Sequence, residues 1–293
     1  LFDTIDIEKA ITQKIELPFV ADINLYLLRL DLIDEEISGN KWFKLKNNLV
    51  NAFQNNKKQL ITFGGAYSNH IAATAKACYL LGIKSIGIIR GEKIENHTLQ
   101  LATNYGMELR FVSRTLYKDK HALENWLSNE YSLNDYTLIP EGGANTAGIE
   151  GCKEIVSLIK MPFDFVCASC GTGTTLAGIV QNLSPNQTAI GFSALKGGAF
   201  LKDEVAKALP TNKHFNYSII DEFHFGGYAK YKPELLDFIQ QFYYINHIKL
   251  DFIYTAKMMY GLFKLIQQNY FPVKSNIVAI HSGGLQGNKG IGI

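Results

Sequence analysis

FDFVCASCGTGTTLAGIVQNL, residues Phe163 to Leu183, is the stretch on which the fold turns. Its first six residues, FDFVCA (163–168), form a short apolar run, the length and composition of a buried strand. From Thr174 onward the apolar residues recur three and four apart and the run closes near Asn182, the pattern of a helix. A strand that passes through Gly171-Thr172-Gly173 straight into a helix belongs to a parallel sheet covered by helices. The alternation continues in both directions. Strands are expected at 60–63 (LITF), 85–89 (SIGII), 108–112 (ELRFV), 136–140 (YTLIP), 188–194 (TAIGFSA) and 276–281 (NIVAIH). Helices are expected over NHIAATAKACYLLG, NHTLQLATNYG and AGIEGCKEIVSLI. The expected fold class is α/β, with two open, mainly parallel sheets flanked by helices.

A chain of 293 residues is long enough for two α/β domains. The polar run NNKKQ (55–59) and the glycine-rich turn EGGANTAG (141–148) bracket a self-contained set of strand and helix units. Residues 55–148 are therefore expected to form a small inserted domain, and residues 1–54 and 149–293 a larger, discontinuous one.

With 47% apolar and 19% charged residues and a net charge of +2, the composition is that of an ordinary globular chain and gives no reason to expect nucleic acid as a partner. The longest charge-free stretch, from Phe165 to Leu195, is cut by Ser, Thr, Asn, Gln, Gly and Pro, so no membrane partner is expected. The opening LFDTIDIEKAITQK carries acids where a secretory leader needs bases and lacks a long apolar run, so a cytoplasmic location is expected. Four cysteines in so long a chain read as buried thiols rather than a disulfide framework. His97, His121, His214 and His247 show no metal-ligand spacing, and no metal is expected.

Glycine pairs follow four of the expected strands: Gly64-Gly65, Gly142-Gly143, Gly171 with Gly173, and Gly283-Gly284. One such pair is ordinarily just a turn. Four at successive strand ends point to the crevice in which open α/β sheets bind ligands. Gly171-Thr172-Gly173-Thr174-Thr175 opens a helix, so backbone N–H groups, the helix N-terminus and three hydroxyls converge as a phosphate cradle. It is not a P-loop, and the following strand ends at Ser193-Ala194 without the acid that would hold a ribose, which makes a nucleotide the minor alternative. Ser68-Asn69-His70 opens a second helix. Ser68 reads as an N-cap, and the group can equally form a carboxylate pocket. Lys41, at the start of a further helix beside Trp42 and Phe43, sits in an apolar setting that would lower its pKa and free an amine for Schiff-base chemistry. A phosphate cradle, a carboxylate cradle and a nucleophilic lysine together spell pyridoxal 5'-phosphate acting on an amino acid.

The motifs SGNKWFKLK, FGGAYSNH, IPEGGANTAG, CGTGTTLAG, GGYAKYKPELL, DFIYTAKMM and HSGGLQG occur in this order and span nearly the whole chain. As a set they resemble the 1-aminocyclopropane-1-carboxylate (ACC) deaminase and D-cysteine desulfhydrase family, which lies within the tryptophan-synthase-β-like, fold type II pyridoxal phosphate enzymes. The resemblance implies a homodimeric deaminase of a small amino acid. By the same resemblance Lys41 carries the cofactor, Thr172, Gly173, Thr174 and Thr175 hold its phosphate, and Asn69 meets its phenolic oxygen. Ser68, Asn69 and His70 are then the substrate-carboxylate residues, and Tyr228 and Tyr254 the active-site tyrosines. Lys44 matches a second family lysine without an assigned role.

Where the ACC deaminase subgroup carries an acid after the second tyrosine, an apolar residue before the last Gly-Gly and a glutamine after Ser-Asn, this chain has Thr255, Ser282 and His70. All three lean toward the desulfhydrase pattern, with Ser282 or Thr255 expected at the pyridine nitrogen. Ala72, Ala73 and Ala256 depart from both subgroups. A deaminase releasing pyruvate, sulfide and ammonia from D-cysteine is therefore placed ahead of one releasing 2-oxobutyrate and ammonia from ACC. A binding protein that keeps the fold and turns over nothing is the alternative class.

Overall fold

The apolar runs become strands, and the strands sort into two sheets. The computed structural model describes residues 5–37 and 39–291; residues 1–4 of the opening stretch and Ser38 of the SGNK motif lie outside the described residues. The chain begins with β1 (Thr12–Lys14), β2 (Asn24–Arg29), α1 (Asn40–Gln54), β3 (Gln59–Gly65), α2 (Asn69–Leu80), β4 (Lys84–Arg90), α3 (His97–Asn104), β5 (Glu108–Val112), α4 (Arg114–Lys118), α5 (Lys120–Glu130) and β6 (Tyr136–Ile139). It continues with α6 (Thr146–Lys153), β7 (Phe165–Cys170), α7 (Thr174–Gln181), β8 (Thr188–Ser193), α8 (Leu201–Lys207), β9 (Tyr217–Ile220), α9 (Pro233–Asn246), α10 (Thr255–Gln267) and β10 (Asn276–His281).

The larger sheet has the order β1-β2-β10-β7-β8-β9 and the smaller the order β5-β4-β3-β6. All pairings are parallel except β1 with β2. This is the expected class. The expected strands are all present, while β1, β2 and β9 go beyond them: β1 is the polar triplet TQK, and β2 (NLYLLR) and the half-buried edge strand β9 (YSII) are short apolar runs not read as strands from the sequence. The periodic stretch 147–159 is only partly α-helical, since α6 ends at Lys153 and the chain tightens into a 3-10 turn over Glu154–Leu158.

Strand β10 shows how the larger sheet is sandwiched. Side chains alternate across a strand, and Val278 and Ile280 join the core with Phe43 and Leu45 of α1 and Leu176 and Ile179 of α7. Ile277 and Ala279 point the other way, into a core with Leu235 and Phe242 of α9 and Met258, Met259 and Leu262 of α10. The smaller sheet is filled by two smaller clusters, one around Ile61, Ile86 and Ile88 with Leu123 and Leu127, the other around Ile71, Ile89 and Leu99 with Met107.

Each sheet contains a reversal of strand order. β7 lies between β8, which follows it directly, and β10, which returns from the far end of the chain; β3 likewise lies between β4 and β6. Connections leave to opposite faces at such a point and open a crevice beyond the strand ends. The residues just past β3, β6, β7 and β10 line one shared cavity of about 450 Å³. Among the described residues, no helix is long and apolar enough to cross a membrane.

Candidate active site

The turn after β7 lines the cavity from the larger sheet. Gly173 adopts φ 77° at the N-cap of α7, which turns the first amides of that helix toward the opening. Thr172 and Thr174 share a hydroxyl contact of 2.9 Å, and Asn40 donates its amide to Thr175 Oγ1 at 2.7 Å. A side-chain carbon on Gly171 would stand 3.1 Å from the Tyr254 hydroxyl, so the phenol packs directly on the loop backbone. Lys44 also lines the cavity. It is 6% exposed and has no carboxylate within ion-pairing distance among the described residues, and burial lowers its pKa.

Lys41 enters from the first turn of α1. Gly39 precedes it at φ 65°, and a Cβ there would fall 2.0 Å from the Ser282 carbonyl oxygen. Only glycine allows the start of α1 to dock on the turn after β10. The Lys41 ammonium donates to Asn40 Oδ1 at 2.7 Å and lies 5.9 Å from the centre of the Tyr254 ring. Burial, and then the Lys44 ammonium, pull its pKa down to about 7. Trp42 and Phe43, the expected apolar neighbours, belong to the core beneath α1, so the second lysine is a contributor that the apolar flanks did not suggest.

Ser282 faces the cavity with two hydroxyls near it: Ser169 Oγ at 3.3 Å and Thr255 Oγ1 at 3.5 Å. Thr255 is fully buried and does not line the cavity itself. His281 braces the turn, donating Nε2–H to the Lys249 carbonyl at 2.7 Å and accepting the Gly283 N–H on Nδ1 at 3.2 Å. Asp251 is also fully buried, and its carboxylate is consumed by the N–H groups of Ile253, Tyr254 and Thr255 at 3.2, 2.7 and 2.8 Å. The acid therefore fixes the start of α10, and with it Tyr254, rather than facing the cavity.

The opposite wall comes from the smaller sheet. Ser68 is the N-cap of α2, its hydroxyl accepting the Ile71 N–H at 3.4 Å. Thr62 donates to the Ile139 carbonyl at 2.9 Å, so the 2.9 Å contact between Thr62 Oγ1 and His70 Nε2 has the imidazole as donor. Burial, with Lys44 and Lys41 adding to it, pulls the His70 pKa down to about 3. His70 Nδ1 and Asn69 Oδ1 are buried acceptors with no hydrogen-bond partner among the described residues. At the mouth, Tyr228 packs edge-on to Tyr254 with ring centres 6.0 Å apart and donates to the Tyr67 carbonyl at 3.2 Å. Burial, followed by Glu141, pushes the Tyr228 phenol up to about 12; burial and then Tyr228 hold Tyr254 well above the usual tyrosine range.

Of the expected site residues, Lys41, Ser68, Asn69, His70, Thr172, Gly173, Thr175, Tyr228, Tyr254 and Ser282 converge on this cavity, while Thr174 and Thr255 stand behind it. Ala72 and Ala73 are buried in α2 and do not line it. Sequence reasoning missed Arg90 and Glu141. Arg90 ends β4 and stacks over Tyr117 at 5.4 Å, and Tyr117 in turn donates to Glu141 at 2.9 Å. The glycine following SIGIIR, Gly91 at φ 104°, was the available signal: a further glycine past a parallel strand. All four cysteines are free and buried. Among the described residues, no cluster of three or more His, Cys, Asp or Glu is placed to hold a metal.

The donor set fits pyridoxal phosphate. A buried ammonium without an anionic partner, a hydroxyl-rich helix start and a lysine whose pKa is already low meet in one pocket, and a phosphate there is matched in charge. A family model described as pyridoxal-phosphate dependent enzyme matches residues 8–283, which makes this a protein of the fold type II pyridoxal phosphate class, with that cofactor. A Pyrococcus horikoshii protein provisionally named 1-aminocyclopropane-1-carboxylate deaminase is 30% identical over 282 residues, covering 90% of this chain and 85% of its own. The Arabidopsis thaliana bifunctional D-cysteine desulfhydrase/1-aminocyclopropane-1-carboxylate deaminase, a mitochondrial protein, is 28% identical over 299 residues, covering 90% of this chain and 73% of its own. The crystal structure of an ACC deaminase homologue superimposes with a TM-score of 0.78 at 26% identity, over 97% of this chain and 92% of the other. The chain belongs to the ACC deaminase/D-cysteine desulfhydrase family of pyridoxal phosphate enzymes. An enzyme of this family acts on a small amino acid, and the binding-only reading gives way to catalysis.

Proposed function

We propose that the enzyme deaminates a small amino acid by β-elimination, with D-cysteine ahead of ACC. The observation that carries this reading is the hydroxyl cluster of Ser282, Ser169 and Thr255 on the cavity wall, where the one nearby buried acid, Asp251, is spent on backbone amides. Pyridoxal phosphate, when bound, supplies a sink for the electron pair released at Cα. A hydroxyl partner keeps a ring nitrogen less protonated than a carboxylate does, so the sink is weaker. That suffices when a good leaving group departs from Cβ. Opening a cyclopropane that has no α-proton demands more.

The remaining roles belong to the chain's own groups. Thr172, Thr175 and the first amides of α7 bind the phosphate, with Thr174 bracing the Thr172 hydroxyl from behind and Lys44 as the counter-charge. Asn69 orients the phenolic oxygen, and Ser68 with the start of α2, beside His70, takes the substrate carboxylate. The Lys41 amine, neutral above a pH of about 7, removes the Cα proton. Tyr254 and Tyr228, kept as phenols, donate to the departing sulfur. The C–S bond breaks with its electron pair on sulfur, and water then releases ammonia and leaves pyruvate. The provisional and bifunctional names of the relatives support both substrates, and the hydroxyl cluster favours the first.

The test is a panel of D-cysteine, L-cysteine and ACC assayed for sulfide, pyruvate, 2-oxobutyrate and ammonia. Sulfide from D-cysteine is expected to outpace 2-oxobutyrate from ACC, and Thr255→Glu combined with Ser282→Leu is expected to shift the ratio toward ACC. A wild type that prefers ACC overturns the order of substrates.

A further inference from the structure

We propose that Lys257 is a positioning residue: from the first turn of α10 it holds the loop 224–229, and with it Tyr228, across the mouth of the cavity. The inference rests on reading Tyr228 as an active-site group, and goes beyond it by naming what keeps that group in place.

Lys257 is 1% exposed, and no carboxylate lies within ion-pairing distance of it among the described residues. Its ammonium donates to two carbonyls instead, those of His224 at 2.9 Å and Gly227 at 2.7 Å. Both carbonyls already close tight turns. The Gly227 N–H reaches the His224 carbonyl at 3.0 Å, and the Lys230 N–H reaches the Gly227 carbonyl at 3.1 Å. The lysine therefore caps two consecutive turns at their shared hinge. The backbone between them is costly, with φ of 53° at Phe225, 97° at Gly226, 114° at Gly227 and 53° at Ala229. Non-glycine residues hold left-handed conformations only where the surroundings enforce them. His224 helps by accepting the Gly226 N–H on Nδ1 at 2.9 Å, but among the described residues only Lys257 donates to both carbonyls.

The geometry then runs outward. Tyr228 follows the clamped Gly227 and donates to the carbonyl of Tyr67, the residue before Ser68. Lys257 lies three residues after Tyr254, whose ring packs against Tyr228. One helix start thus places one tyrosine directly and the other through its lysine, and the loop from the larger sheet meets the carboxylate pocket of the smaller. An ammonium buried without a counter-ion is an expensive way to fill space that methionine fills equally well. Burial draws its pKa down to about 8 against the pull of Asp251, so the cation is kept at a cost, and the two turns are what it holds.

Amide hydrogen exchange decides the matter, on the cofactor-loaded protein and on protein stripped of cofactor. Lys257→Met removes the donors at similar volume, and Lys257→Gln retains two of them. In the methionine variant, exchange at Gly226, Gly227 and Lys230 is expected to rise by on the order of tenfold or more while α10 stays protected, with a smaller rise in the glutamine variant. Unchanged exchange in the loop overturns the proposal, and so does an equal rise in loop and helix, which marks Lys257 as bulk packing only. A second arm measures pyruvate from D-cysteine in Lys257→Met, Tyr228→Phe and the double variant. Losses that overlap, leaving the double no worse than the poorer single, support action through Tyr228; losses that multiply overturn it. A wild type that yields no pyruvate sinks the substrate reading, while the exchange measurement still judges the lysine.

Discussion

Thr175 and Ser282 reach the cavity from the six-stranded sheet at 4% and 7% exposure, behind strands such as β10 that are buried along nearly their whole length; the four-stranded sheet brings two kinds of group, the buried Asn69 and His70 at the start of α2, and the exposed Arg90 and Glu141, which end the buried β4 and follow the half-open β6. The first wall is braced from beneath by Asn40, Ser169, Asp251 and His281. The second is braced mainly by helix α2 and two small apolar clusters. Under the proposed roles the first wall grips the cofactor, and the second, with Asn69 and His70 buried and Arg90 and Glu141 exposed, receives the substrate.

Under these roles, removing Lys41 has the largest effect. Lys41→Ala is expected to lower turnover by at least about 10²–10⁴-fold, the contribution of a positioned proton carrier, and to abolish attachment of the cofactor on borohydride treatment. Peptide mapping checks it, and a label on Lys44 or Lys46 breaks the assignment.

Thr175→Ala sharpens the comparison on the deep wall. It removes a phosphate hydroxyl and strands the Asn40 amide that now donates to it. Cofactor affinity is expected to fall by about 10- to 150-fold, equivalent to about 1.5–3 kcal/mol for a hydrogen bond to a charged group, with turnover per bound cofactor much less affected. Cofactor titration of the apoprotein measures it.

The pH dependence of cofactor capture tests the depth of that wall in another way. A lysine held near its ordinary value would gain reactivity up to pH 10; one lowered to about 7 is already neutral above that value. The capture rate of the apoprotein is expected to rise by about tenfold per pH unit below 7 and to flatten above it. A rate still climbing steeply at pH 9 contradicts the burial of Lys41.

Ser68→Ala should give the smallest effect, and the opposite one. It is expected to raise KM by about three- to tenfold, one neutral hydrogen bond, while leaving cofactor affinity unchanged. A loss of cofactor without a change in KM would erase the distinction between the walls.

Strand β7, its turn and α7 were legible because the whole device is contiguous: an apolar run, two glycines and a helical period in one stretch of chain. Lys41, Ser68, Tyr228 and Tyr254 were legible through their motifs. Asp251 and Lys257 were not, because neither contrasts with its neighbours in sequence. Lys257 is one polar position on an amphipathic helix, and only the folded chain brings the carbonyls of His224 and Gly227 over its ammonium. The lowering of Lys41 was foreseen, but the Lys44 ammonium became a cause only once α1 was buried. Strand β9 escaped notice because YSII is only four residues long and no Gly turn or helical period directly follows it to mark a strand end.

The contact between Gly39 and the Ser282 carbonyl joins residues from opposite ends of the chain, and the pairing of β2 with β10 does the same. Loop closure over such a span is slow, and contacts of this kind form late. During synthesis the Thr172–Thr175 turn emerges well before β10, yet the lysine has no turn to dock against until β10 has inserted between β2 and β7. Assembly of the binding site is thereby tied to completion of the sheet. A nascent or truncated chain ending before residue 276 has the loop for the phosphate and the lysine for the aldehyde, but nothing that sets one against the other.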